Sequence, residues 1–459
     1  MAENTRQLTE GPVWRAVLAV SAPMSLGIFA VLSIGLADAY FLGQLGQTEL
    51  AAVGFIYPVT TAITSLSIGL SAGANAALSQ AIGRGDDDEA VRRKALHAVG
   101  LGSALALAVG LLVFMFGASI FRLIGASDAV MAEINGYMHW WAPSYVFLVA
   151  MMVANAAFRA HGDGLTSAGI MVISALVNIV VDPALIFGWG PLSELGTEGA
   201  GLATFIARFA AAVVALWWAW RQGMIGWCGS LWKDVGTSVR DIVKVGAPAS
   251  LSNAINPAGM AAVTAAVATL GEAAVAGFGA ATRVQSLAIV ALLALSAGIG
   301  PVVGQNWGAD ARDRARRAVR FTFLFCLGYG LVIGAALFLL ADPIAGLFAE
   351  DSESASYTAL YLKIVGWTLG GYGILVTANA AMNARSKAVQ SMSLSLARIG
   401  LVYIPFAWIG VTLAGYPGIL AAAAAANILA VWGALVLCRS TGLLAIETPI
   451  IRAPAEKLA

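Results

Sequence analysis

Apolar runs of about twenty residues recur roughly every 35 to 40 positions along the chain, each long enough to carry a helix across ~30 Å of hydrocarbon. The pattern predicts helices over 16–42, 50–80, 96–120, 131–158, 165–188, 199–220, 243–270, 274–306, 317–341, 355–383, 388–411 and 416–438. The first of these carries a single ionisable side chain, Asp38. An isolated carboxylate in hydrocarbon is costly, so it must hold a proton, bind a cation or face water inside a bundle. Asp38 is therefore the first candidate for function.

Composition agrees with a chain that lives in lipid. Of 459 residues, 59% are apolar and 11% charged, well below the roughly one quarter charged that soluble proteins carry. The start, MAENTRQLTEGPVW, lacks the basic stretch, short apolar core and small-residue cleavage site of a signal peptide, so the first helix is expected to stay. Cys228, Cys326 and Cys438, like His97, His139 and His161, are scattered. Such spacing suggests neither a disulfide frame nor a metal cluster.

Charge placement orients the chain. Arg84, Arg92, Arg93 and Lys94, then Arg159, then Arg221, Lys233, Arg240 and Lys244, then Arg312 to Arg320, then Arg385 and Lys387 all fall in loops on one side. The opposite loops hold acids and almost no Lys or Arg, Arg122 being the exception. By the positive-inside rule the basic loops and both termini are cytoplasmic. The expected location is the cell inner membrane, with the lipid bilayer as partner and no nucleic acid.

Sliding the chain by 225 positions lays Pro23 on Pro248, Leu45-Gly46 on Leu270-Gly271, Gly54 on Gly279, Ser71-Ala72-Gly73 on Ser296-Ala297-Gly298, Gln80 on Gln305 and Gly83 on Gly308. With one residue lost, ANAAF at 154–158 meets ANAAM at 378–382. Each half holds six helices, so the halves enter the membrane in the same orientation. The expected architecture is all-α, about twelve transmembrane helices in two parallel six-helix lobes, a transporter plan with substrate handled between the repeats. The predicted boundaries are 1–220 for the first lobe, 221–242 for an interlobe linker, 243–438 for the second lobe and 439–459 for a tail. The linker reads either as a short amphipathic interfacial helix or as a plain connection.

Asn178 and Asp182 are four apart, hence on one face of the fifth helix, and Pro183 removes a backbone hydrogen bond beside them. Carboxylate, amide and freed carbonyl oxygens suit either a small hard cation or shared protons. Thr204, near the outer start of the sixth helix, offers a hydroxyl. Two carboxylates in one low-dielectric pocket would titrate as a unit. The second half has no such pair. Val263 is the repeat mate of Asp38, and Asn256, Gln285, Asn379 and Tyr403, with embedded Arg283 and Arg398, make up its polar inventory.

The stretch DAYFLGQLG followed by LAAVGF, then SAGANAALSQAIGRGD, FRAHGDG and VGQNWGA, resembles the multidrug and toxic compound extrusion (MATE) family over nearly the whole chain. It is most similar to the DinF-like branch. That resemblance implies coupling through Asp38, Asn178, Asp182 and Thr204, with Tyr137 and Asn155 tied to the same polar network and substrate cavity. Asn256 stands where NorM-like members carry a seventh-helix acid. The resemblance also implies an antiporter, driven by protons or sodium and without a resident cofactor, that exports amphipathic and often cationic compounds as a monomer. Trp140 and Trp141 fit an interfacial belt.

Two other readings remain at this point. A flippase for a lipid or lipid-linked precursor would require basic residues such as Arg283 and Arg398 to converge on the central cavity. A channel would ignore ion gradients. An enzyme is the least favoured, since no nucleophile–base pair or phosphate loop is visible.

Overall fold

Twelve long helical rods, several of them broken, account for the chain in the computed structural model, which describes residues 8–189, 193–227, 229–348 and 351–444. The first six are α1 (Val13–Leu45), α2 (Gln47–Arg84), α3 (Asp88–Leu123), α4 (Asp128–Ala160), α5 (Gly164–Ile186) and α6 (Gly196–Arg221). The second six are α7 (Val235–Ala268), the pair α8 (Glu272–Ala288) and α9 (Val290–Gly308), α10 (Arg312–Leu339), the pair α12 (Ser352–Val365) and α13 (Leu369–Ala384), the pair α14 (Ala388–Leu396) and α15 (Ile404–Ala414), and α16 (Tyr416–Ser440). A short α11 (Ala341–Phe348) connects α10 to α12.

Eleven stretches among the described residues are long and apolar enough to cross a membrane. The twelfth rod is α7, 34 residues long. It is less apolar because Asp241, Lys244, Ser250, Ser252, Asn253 and Asn256 lie along it.

Three predicted helices differ from the observed ones. The run 274–306 breaks at Ile289, where the Tyr329 hydroxyl donates to the Ala288 carbonyl at 2.8 Å and satisfies the interrupted ladder. The run 355–383 tightens into a 3-10 turn at Gly366–Thr368, with the Thr368 hydroxyl donating to the Val365 carbonyl at 2.8 Å. There α10 presses close through Gly330 and Gly334, and a Cβ on Gly330 would collide with Gly370. The run 388–411 contains a seven-residue π stretch, Ala397–Tyr403. Within the predicted linker, α7 already begins at Val235, eight residues before the expected start.

The segment before α7 and the first two turns of α7 are held to α3. Arg93 pairs with Asp234 at 3.1 Å and Lys94 with Asp241 at 3.0 Å, while His97 reaches the Ser238 hydroxyl and the Leu231 carbonyl. The later part of the predicted tail, 445–459, and Cys228 lie outside the described residues.

Apolar side chains sort into separate cores. One is built almost entirely from residues 263–444, and two more almost entirely from residues 42–225. Between the halves, α2 packs on α7 and α1 on α9. These contacts obey the 225-residue repeat: Gly73 abuts Gly246 just as Gly298 abuts Ser21, and Gly83 abuts Gln305 just as Gly308 abuts Gln80. Each glycine is needed because a Cβ there would collide with the facing helix. The same symmetry extends to hydrogen bonds. Gln80 Nε2 donates to the Ala384 carbonyl at 2.5 Å and Gln305 Nε2 to the Ala160 carbonyl at 2.7 Å. All of these contacts lie towards the end that bears the basic loops.

Candidate functional site

Helix register brings the two acids together. The α1 and α5 rods run parallel and touch where the first residue of α5, Gly164, lies against the backbone of Val20 so closely that a Cβ would not fit. Asp38 and Asp182 each stand eighteen residues beyond that contact, about 27 Å along either helix. Their carboxyls therefore arrive side by side, close enough to share a hydrogen bond when one of them carries the proton. Asp182 is fully buried and Asp38 half-buried.

Pro183 stays inside α5, as the sequence implies, so the helix passes the site with one backbone donor missing. Among the described residues no donor reaches either Asp182 oxygen or Asp38 Oδ1, and the buried Asn178 amide is likewise unbonded at both its oxygen and its nitrogen. Asn178, Asp182 and Thr204 are all buried. Buried polar atoms are costly to leave unsatisfied, so this cluster is built to accept something from outside the chain.

The other side of the site comes from α4 and α6. Gly201 packs against the Tyr137 backbone and sets the register of these two parallel helices. Thr204 then lies beside the Tyr137 hydroxyl, and Arg208, seven residues after Gly201, donates to the Ser144 hydroxyl at 2.8 Å, seven residues after Tyr137. The guanidinium lies 5.1 Å from the centre of the Trp141 ring, which stacks in turn on Tyr145. Arg208 also faces Asp38 electrostatically. Trp141 is 1% exposed. It packs beneath Arg208 and is not part of an interfacial belt, whereas half-buried Trp140 donates to Glu198 at 3.1 Å.

Asp38, Tyr137, Asn178, Asp182 and Thr204 thus share one neighbourhood, and Arg208 joins them. Asn155 does not. It lies eighteen residues from Tyr137 along α4, roughly 27 Å away, buried with an unbonded Oδ1. Asn256 is also apart, in the second half, where its Oδ1 accepts from Arg398 at 3.4 Å. Arg283 is exposed on α8, whereas Arg398 is half-buried and bonded to Asn256 and Asn427. Arg208 is hidden in the sequence because it is a single charge inside the apolar run of the sixth helix, away from the embedded Arg283 and Arg398 of the second half. Its signal was the spacing of four from Thr204, which puts both on one stripe of α6.

Two related helical halves with a carboxylate pair embedded between the rods of one of them follow the plan of a membrane transporter. The MatE family model matches residues 23–184 and again 248–409, two ranges offset by the same 225 positions as the internal repeat. The chain belongs to the MatE family. It is 32% identical over 424 residues, 92% of this chain and 93% of the relative, to a protein of Shewanella oneidensis named as an FAD transporter. It is 24% identical to the multidrug export protein MepA of Staphylococcus aureus, over 91% of this chain and 92% of that one. Among solved structures, the Vibrio cholerae MATE transporter VcmN in the bent form is 28% identical and superposes with a TM-score of 0.87, covering 96% of this chain and 98% of the other.

Proposed function

We propose that the chain is a cation-coupled antiporter that exports amphipathic compounds across the cell inner membrane, with the basic loops and both termini in the cytoplasm. The observation that carries this reading is the Asp38 and Asp182 pair, brought together across α1 and α5 with no donor among the described residues at Asp182. Charge counting supports single-ion coupling. Arg208 compensates one of two carboxylates, and the other negative charge must be met by a proton or a sodium ion. Carboxylate, amide and hydroxyl oxygens from Asp38, Asp182, Asn178 and Thr204 suit a small hard cation, while a shared proton suits the carboxyl pair itself.

Loading this site changes what holds α1 to α5 in the half that also carries Tyr137. Pro23 sits inside α1, where a missing backbone donor eases bending. Rearrangement of α1 on ion binding then weakens substrate binding and commits the carrier to release it outside. Coupling through the first half fits the DinF-like resemblance, since in the second half Val263 replaces the first acid and Asn256 stands in the seventh rod. The relatives named for FAD transport and for multidrug export fit cargo that is aromatic and amphipathic.

The test is uptake of the fluorescent cation ethidium into inside-out vesicles under imposed proton and sodium gradients, applied separately. Wild type should accumulate dye under one of them, which names the ion, and Asp38→Asn or Asp182→Asn should reduce the rate by about tenfold or more with folding intact. Accumulation that ignores both gradients, or survives loss of both carboxylates, would sink the reading.

A further inference from the structure

The second half contains a membrane-embedded cation with no counter-ion among the described residues. Arg398 lies on the π stretch, half-buried. Its Nε and Nη2 donate to Asn427 Oδ1 at 3.3 and 2.9 Å and its Nη1 to Asn256 Oδ1 at 3.4 Å, while Tyr372 lies 5.2 Å away under its face. Tyrosines 361, 372 and 403 are the titratable groups that face it, and no carboxylate among the described residues pairs with it. The guanidinium has five N–H donors and three are engaged, each by a neutral amide oxygen. One donor on each of Nη1 and Nη2 is left, the fork that grips a carboxylate or phosphate.

The surroundings hold this fork in place. Asn427 cannot turn freely, because its Nδ2 donates to the Thr368 hydroxyl at 2.9 Å, and Thr368 belongs to the 3-10 turn between α12 and α13. A π stretch and a 3-10 turn, two of the three irregular places in the rods of this half, therefore meet at one arginine. Such helix defects concentrate where a side chain must be aimed at something. In the related first half Arg208 is answered by Asp38. In the second half no answering charge is present among the described residues, and an embedded charge of that kind demands one.

We infer that Arg398, with Asn256 and Asn427 as its positioning residues, binds an oxyanion group, phosphate or carboxylate, carried by the transported molecule. The inference rests on the transporter reading above and adds to its cargo amphipathic molecules with an anionic end, beside the cations that the family resemblance suggests. Cation handling then belongs to the first half and anion recognition to the second.

The experiment is equilibrium binding to the full chain in phosphatidylcholine nanodiscs, with 4-methylumbelliferyl phosphate as probe and neutral 4-methylumbelliferone as its twin. Wild type should prefer the phosphate by about tenfold or more. Arg398→Gln should erase that preference and leave the neutral twin unchanged. Asn256→Asp is the second variant: it supplies the missing carboxylate beside Arg398, so it should erase the preference while thermal stability is kept or raised. A second set of discs containing phosphatidylglycerol separates the sources, since Arg398-dependent displacement of the probe would assign the oxyanion to a lipid headgroup, and no displacement to a free solute. A wild type that does not discriminate, or an Asn256→Asp protein that still does, overturns the inference. Because no gradient is applied, failure here leaves the vesicle result standing, and failure of the vesicle test leaves this one.

Discussion

Arg208 determines how the carboxylate site can be charged. With both acids ionised the cluster of Asp38, Asp182 and Arg208 carries one net negative charge, and with one cation or proton bound it is neutral. Replacing Arg208 by Gln leaves that excess uncompensated. The expected cost is on the order of 2 kcal/mol, between the limits for surface and fully buried pairs, since Arg208 and Asp38 are half-buried. Adding Asp38→Asn to Arg208→Gln should recover most of the loss. Thermal unfolding in detergent of the four proteins of this cycle measures the coupling, and simple additivity of the two changes would show that the residues do not communicate. The acids, Asn178 and Thr204 were legible in the sequence because each is a lone polar group on an apolar helix. Arg208 and the burial of Trp141 were not, because an arginine or tryptophan in a membrane chain has an ordinary home at the interface, and only the Gly201 to Tyr137 contact shows that these two are held inside.

At the scale of elements, helix length and number follow from hydrophobic run length, and two helices, α5 and α12, open on an aspartate cap. Asp351 is an example: its carboxylate accepts from the Ser354 amide at 2.7 Å and the Ser354 hydroxyl at 2.8 Å, opening α12. These bonds hold its carboxyl below the usual aspartate range. A depressed folded value means that the cap is at full strength above the ordinary aspartate range and is lost as pH falls through the folded value. Hydrogen-exchange protection in the first turn of α12 should therefore drop on acidification in wild type, and Asp351→Asn should remove that pH dependence. The breaks at Ile289, Gly366–Thr368 and Ala397–Tyr403 could not be read from periodicity. An apolar window looks the same whether its ladder runs i to i−4, tightens or loosens by one residue. What decides each break is a partner on another rod: Tyr329 for the first, the Gly330 and Gly370 approach for the second, Asn256 and Asn427 for the third.

For the whole molecule, the repeat makes a closure with two related halves. Gln80 and Gln305 are repeat mates, and each reaches across to the end of a helix in the other half: Gln80 to Ala384 and the Ser386 hydroxyl, Gln305 to Ala160. Gln305 Oε1 also accepts from the Leu8 amide at 3.1 Å, and Asn306 Nδ2 donates to the Leu8 carbonyl at 3.1 Å, so the N-terminal segment is tied into the same closure. Alternating access requires these bonds to break when the basic end opens. Each is worth about 1 kcal/mol, so removing both should shift the balance towards the open state by about tenfold or more. Ser79 is a reporter for that opening, since it is fully buried and Gly304 presses directly on its hydroxyl. With Ser79→Cys in place, labelling of that site by a membrane-impermeant maleimide should be slow in the otherwise wild-type chain and about tenfold faster when Gln80→Ala and Gln305→Ala are combined. Peptide mapping separates the background of Cys228, Cys326 and Cys438 from the reporter. Each single glutamine change should give an intermediate rate, because two symmetry-related bonds share one equilibrium. Equal labelling in all four proteins would mean that the glycine crossings alone hold the basic end shut and that the glutamines only pack there.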